Sequence, residues 1–229
     1  MVELRQYTLQ PSRRDDLIEL FDREFVETQE ATGMHIVAQF RDLDDPDRFV
    51  WIRGFTDMTS RTSALQAFYG GPVWKQHGRA AASTMIDSDD VLLLRPAFDG
   101  AGLTHPPAPR PSATDIDVPA ATIVLTIHEV TEPPSPAEVG DFATEWDAIA
   151  EAHGAASLAW YVTDPAENTF PALPVRTDVS VVVNISAFDD AEQHRAFVSR
   201  PTARGGGRSL RSTATSQLRL EPTGRSALR

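Results

Sequence analysis

Hydrophobic and polar positions alternate from Val2 to Leu9, the two-residue period of a strand with one face buried. Pro11 ends that strand. Ser12 is placed to cap a helix running to about Ala31, with Leu17, Leu20, Phe21 and Phe25 at the spacing of one helical face. Gly33 stops the helix. Met34 to Arg41 and Phe49 to Phe55 read as strands joined by the turn Asp44-Asp45-Pro46-Asp47. A helical segment over about 58–82 is interrupted at Gly70-Gly71-Pro72, and Val91 to Arg95 closes the set as a strand.

The same order then returns. Ile123 to Val130 is a strand, and Pro136 to about His153 is a helix with Val139, Phe142, Trp146 and Ile149 on one face. Ser157 to Thr163 and Val179 to Phe188 are strands around a proline-rich loop. Asp189 to about Ala203 is helical, and Gln217 to Leu220 is a short last strand. Short echoes accompany the repeated order: Leu4-Arg5-Gln6-Tyr7 falls where Leu125-Thr126-Ile127-His128 falls, and Ala67 to Pro72 where Ala196 to Pro201 falls. Between the halves, Pro106, Pro107, Pro109, Pro111 and Pro119 mark an extended linker. The expected organisation is therefore a first repeat over 1–97, a linker over 98–120 and a degenerate second repeat over 121–229. Each β-α-β-β-α-β unit is ferredoxin-like, and its sheet has helices on one face only. Two such units in one chain can cover each other, so the expected fold is α+β, an intramolecular dimeric α+β barrel.

Composition narrows the chemistry. The chain has no cysteine, which excludes disulfides, thiolate metal sites and cysteine nucleophiles. No apolar run approaches the ~20 residues of a membrane helix, and Met1 to Arg5 is too polar for a secretory signal, so a cytoplasmic location is expected. A formal charge of −12 disfavours nucleic acid. Eight arginines nonetheless follow residue 194, and Arg200, Arg204, Arg208 and Arg211 are spaced as a helical stripe, read as a solvated face. None of the six histidines forms a His-x-x-x-His pair, and phosphate-loop and nucleophile-elbow signatures are absent. No metal and no cofactor is expected, although a non-local grouping of Glu3, His35 and His77 would be the place for a metal. A homodimer is a possible assembly.

Several stretches of the first half occur in an order and spacing that resemble a known family. They are Val2 to Tyr7, Phe49-Val50-Trp51-Ile52-Arg53-Gly54-Phe55, Val73-Trp74-Lys75-Gln76-His77, Met85, and Val91 to Pro96. Together they are similar to the NIPSNAP proteins, a branch of the dimeric α+β barrel superfamily, over about residues 1–97. The second half keeps the order but lacks counterparts of Trp74 and His77. The resemblance implies the fold more firmly than an activity. The superfamily includes cofactor-independent monooxygenases, haem enzymes, cyclases, lyases and plain binders.

Candidate site residues cluster in the first half. Alternation puts Glu3, Arg5 and Tyr7 on one face of the first strand, His35, Val37 and Gln39 on one face of the second, and Trp51 and Arg53 on one face of the third. Such a set suits a polar and aromatic cavity, or a partly solvated face with Glu3 and Arg5 in ion pairs. Gly70-Gly71 allows unusual backbone conformations, Pro72 starts a fresh helical turn, and Trp74 and His77 share a helix face. Tyr69, Trp51, Trp74 and Met85 would wall the pocket. His77 would be the general acid or base, and Arg5 and Arg53 would stabilise an oxyanion. The expected function is proton-transfer chemistry, without a cofactor, on a small apolar or aromatic molecule. The alternative is a metabolite binder or an assembly protein.

Overall fold

In a computed structural model, residues 1–103, 110, 121–189, 191–198 and 210–228 are described. The strands are β1 (Val2–Leu9), β2 (His35–Asp42), β3 (Arg48–Gly54), β4 (Met85–Pro96), β5 (Thr122–Val130), β6 (Ala156–Thr163), β7 (Ser180–Phe188) and β8 (Ser212–Pro222). The helices are α1 (Arg14–Leu20), a π turn (Phe21–Phe25), α2 (Val26–Glu30), α3 (Met58–Gly70), α4 (Pro72–Ala82), α5 (Pro136–Glu151) and α6 (Ala191–Val198).

The strands close into one barrel in the order β1-β3-β2-β8-β5-β7-β6-β4. Each half supplies four antiparallel strands. Two seams join them: β2 to β8, where Phe40 faces Pro222, and β4 to β6, where Leu94 faces Thr163. The interior is apolar and drawn from both halves, with Leu4, Phe40, Ile52, Leu92, Leu125, Val183, Ile185 and Leu220 buried together. Closure removes the free sheet edges that a lone four-stranded unit would present. The barrel is therefore a filled core. The outer face of each half-barrel packs under its own helices, and there the two halves differ.

Local chemistry sets the helix starts. Asp57 caps α3 by accepting from the Ser60 N–H, and Ser135 with Glu138 forms a capping box at α5, with Pro136 in the first turn. Ser12 does not cap the first helix. It sits at φ 63°, its N–H donates to Asp47 Oδ1 at 2.7 Å, and α1 begins at Arg14 with no side-chain cap. The expected single helix to Ala31 carries a π turn, which sets Phe21 and Phe25 edge to face at 5.9 Å beneath it. Gly33 ends the helical stretch at φ 94°.

Three other expectations shift. A bulge between Ile36 and Ala38 changes the facing of β2: Val37 and Ala38 both enter the barrel, while Gln39 turns outward beside Trp51. His35, Val37 and Gln39 thus do not share one face. Second, β4 and β8 are longer than Val91–Arg95 and Gln217–Leu220, because their first halves are polar and exposed and lack the apolar alternation that marks a strand. Asp87, Asp89 and Asp90 belong to β4. Third, Gly71 has an ordinary extended backbone with φ −79°, and a Cβ there would meet the Ala67 carbonyl at 2.8 Å. It provides room at the α3–α4 corner; no unusual dihedral is involved. Most of the proline-rich linker, Arg200, Arg204 and Arg208, and the helical residues expected after Val198 lie outside the described residues.

Candidate active site beneath the helices of the first repeat

The outer face of β1 and β3 carries Glu3, Arg5, Tyr7, Trp51 and Arg53, and α3 lowers Arg61 onto it. Glu3, Arg5, Arg53 and Arg61 are 0–1% exposed. One carboxylate meets three guanidinium groups. Arg5 Nη1 donates to Glu3 Oε2 at 2.8 Å, Arg53 Nε to the same oxygen at 2.7 Å, and Arg61 Nε to Oε1 at 2.6 Å. Three positive charges less one negative leave a buried excess of two.

The remaining donors are poorly served. Arg53 Nη1 reaches Gln29 Oε1 at 3.5 Å and the Met34 sulfur at 3.9 Å. Arg61 Nη1 reaches Asn168 Oδ1 at 3.0 Å and the Met58 sulfur at 3.7 Å. Arg53 Nη2 lies 2.7 Å from Glu3 Oε2, but off the line of its N–H bonds, so it makes an ion pair without a hydrogen bond. Arg61 Nη2 and Trp51 Nε1 also have no acceptor. Buried donors without acceptors cost about 1–3 kcal/mol each, and more when charged. Neither the pocket nor the solvated face expected from alternation describes this arrangement. It is a closed, cationic, under-satisfied layer.

Aromatic rings frame it. The Arg5 guanidinium lies 5.4 Å from the Tyr7 ring centroid and that of Arg53 lies 5.1 Å from Trp51. Arg5 Nε donates to Tyr7 Oη at 2.9 Å, which leaves the phenol O–H itself as a donor. Burial raises Tyr7 above the ordinary phenol range against the opposing pull of Arg5, so the phenol is neutral. Burial would also raise the Glu3 carboxyl, but Arg53, Arg5 and Arg61 together hold it well below the usual carboxylate range.

Tyr69 and Trp74 are edge to face at 4.6 Å on the α3–α4 side, and Met85 packs in the same apolar cluster. His77 and Trp74 both face the π turn, as their spacing suggests, but His77 pairs with Glu24 at 3.5 Å. No contact joins His77 to the arginines among the described residues. His35 is exposed. Gln39 lies under the C-terminal segment, with its N–H on Ser226 Oγ at 3.1 Å. Glu3, His35 and His77 are therefore not brought together, and among the described residues no group of three or more His, Asp or Glu is placed for a metal ion.

Three residues of this layer are new to the sequence reading. Arg61 falls in step with the buried Ala64, Leu65 and Phe68 of α3, so an arginine on an apolar helical stripe was the available signal. Asn168 and Phe170 come from the loop between β6 and β7, in the other half of the chain. Phe170 stacks on Tyr69 at 6.1 Å, Thr169 bonds Thr62, and Leu173 joins the first-repeat core. A surface pocket of about 610 Å³, lined by Val130, Glu138, Asp141 and Leu210 among others, lies in the second repeat and includes none of these side chains.

Residues 2–99 match the family model described as NIPSNAP. The match to the NIPSNAP family therefore lies in the first repeat. No curated protein matches the chain in sequence. Among solved structures, a provisionally named monooxygenase from Lactobacillus acidophilus is similar with TM-score 0.54 and 10% identity, over 96% of this chain and 92% of that one. A mutant chlorite dismutase from Candidatus Nitrospira defluvii is similar with TM-score 0.53 and 14% identity, over 97% and 90%. An anthrone oxidase-like protein is similar with TM-score 0.50 and 12% identity, over 97% and 90%. At such identities the likeness is one of fold: both halves of the chain, the first repeat and its partner, trace the dimeric α+β barrel. The chain contains no helix long and apolar enough to cross a membrane among its described residues.

Proposed function

We propose that the first repeat binds a small aromatic or apolar molecule and catalyses proton transfer on it without a cofactor. The observation that carries this reading is the buried excess of two positive charges beside Tyr7. Such a layer is costly when empty and favourable when a negative oxygen develops in it. The reaction classes that fit are isomerisation, cyclisation, dehydration, or oxygenation in which the substrate itself reduces oxygen. The forms of these reactions that suit the layer pass through an enolate-like or phenolate-like oxygen. Arg5 and Arg53 would stabilise that oxygen, Tyr7 would donate its proton to it, and the carbon-bound proton would leave to water, which later returns a proton to Tyr7. Trp51, Tyr69 and Trp74 would hold the ring of the substrate. His77, paired with Glu24, is assigned no part in the chemical step.

The test is exchange of benzylic protons for deuterium in phenylacetone and in phenylpyruvate, followed by proton NMR in D₂O. Exchange of at least one probe is expected above the buffer rate. Tyr7→Phe and Arg5→Gln should each lower it by about 10²-fold, and His77→Gln should not. Exchange equal to buffer, or unchanged in both variants, would contradict the catalytic reading. The rival, a binder without turnover, is favoured by the complete burial of the four charged residues. It expects a bound ligand with exchange at the buffer rate.

A further inference from the structure

The charged layer is roofed by the other half of the chain. The loop after β6 is tied to β4 at both ends, by Asp164 N–H to the Leu93 carbonyl at 2.8 Å and Arg176 N–H to the Val91 carbonyl at 2.8 Å. Its middle reaches the site. Asn168 Oδ1 accepts hydrogen bonds from Arg61 Nη1 at 3.0 Å and from the Phe170 N–H at 3.0 Å, while Asn168 Nδ2 donates to the Leu173 carbonyl at 2.9 Å. Two residues on, the Phe170 ring stacks against Tyr69 with an interplanar angle of 28°. The loop thus offers Arg61 an oxygen and Tyr69 a ring, joined by a short bridge. The oxygen is a neutral amide, so it satisfies geometry and leaves the excess charge in place. Asn168 and Phe170 are only half-buried, unlike the arginine layer beneath them. Retracting the loop middle would leave Arg61 Nη1 without its neutral acceptor, on the same guanidinium whose Nη2 already has none.

We propose that the ligand of this site is an aromatic carboxylate, and that Asn168 and Phe170 are a built-in stand-in for it, occupying its acid and ring positions until it displaces them. This inference rests on the assignment of the first-repeat layer as the binding site and names the class of molecule it takes. The loop is the specificity element. Its amide stands where a carboxylate would pair with Arg61 through a bidentate fork, and its phenyl stands where the ligand's ring would stack. A neutral ligand gains the ring position and forgoes the ion pair, and a bare inorganic anion does the reverse.

The experiment is a titration of intrinsic tryptophan fluorescence with benzoate, benzamide and chloride at constant ionic strength, with Trp146 and Trp160 replaced by Phe so that Trp51 and Trp74 report. Benzoate has no exchangeable benzylic proton, so its binding is read independently of any turnover. Saturable benzoate binding is expected, at least tenfold tighter than benzamide. Asn168→Ala should tighten benzoate several-fold by removing the competing oxygen. Asn168→Asp should weaken it at least tenfold, because the loop then carries its own carboxylate onto Arg61, and it should raise the melting temperature. Asn168 is half-buried on a loop outside the barrel core, and the melting temperature of each variant is read beside its titration. Benzamide binding as well as benzoate, or an Asn168→Asp variant that binds like the wild type, would overturn the inference. So would chloride saturating the signal with no benzoate effect, which would leave an inorganic anion site. Benzoate binding with exchange at the buffer rate would uphold this inference and remove the catalytic reading alone.

Discussion

The two outer faces of the barrel occupy equivalent places, but one is cationic and the other neutral. In the first repeat, Glu3 faces Arg53 across β1 and β3, and Arg5 faces Trp51. In the second, Val124 faces Ser186 and Thr126 faces Asn184 across β5 and β7. The second face is buried but uncharged, and largely closes its own hydrogen bonds. Asn184 Nδ2 donates to Ser157 Oγ at 3.0 Å, Ser186 Oγ to Asn184 Oδ1 at 2.5 Å, and Gln217 Nε2 to Thr126 Oγ1 at 3.1 Å. Its open valences are His128 Nε2 and Trp146 Nε1. The shared interior builds the barrel from either repeat. Which outer face invites a charged guest is decided by what faces what beneath the helices. The second repeat contributes to the first repeat's site through its loop.

The largest expected effect is on the charge count. Glu3→Gln leaves three buried guanidiniums without a counter-charge and should destabilise by about 3–5 kcal/mol. In the second repeat, Thr126→Val, at the place of Arg5, loses one hydrogen bond and should cost about 0.5–1.5 kcal/mol. Urea unfolding of both variants checks this, and equal costs would erase the distinction between the faces. A smaller effect separates the repeats by pH. Burial lowers the His128 imidazole to about 4, below its ordinary 6.5. The unfolded chain therefore takes up a proton first. Stability held above pH 6.5 is lost as pH falls towards 4, by on the order of 2–3 kcal/mol. His128→Phe should flatten that part of the profile. Glu3, with its depressed pKa, contributes stability above the ordinary carboxylate range that is lost only at more acidic pH. A wild-type profile unchanged between pH 6.5 and 4 relative to His128→Phe would contradict a neutral, buried imidazole.

Much of the fold was legible because one physical rule, burial of alternate residues, writes itself into a strand. Leu4, Ile52, Leu125 and Val183 all follow it. The rule failed where a bulge inserted a residue at Val37, and where β4 and β8 begin with exposed polar residues. Glu3, Arg5, Tyr7, Trp51 and Arg53 were visible as a polar set on one parity, and the structure gathers them. Arg61 was legible in principle from its apolar helical stripe. Asn168 and Phe170 were not, since their contacts bridge more than 100 residues between repeats and depend on closure of the barrel. His77 looked like chemistry because of its neighbours in sequence, while its neighbour in space is Glu24.

The central claim is that the first repeat's outer face holds an unfilled demand for negative charge and the second's does not. Anomalous diffraction from crystals grown in sodium bromide tests it directly. A bromide peak is expected within hydrogen-bonding distance of Arg53 or Arg61 Nη2, and none beneath α5. A first-repeat layer without bromide, or equal peaks beneath the helices of both repeats, would contradict it.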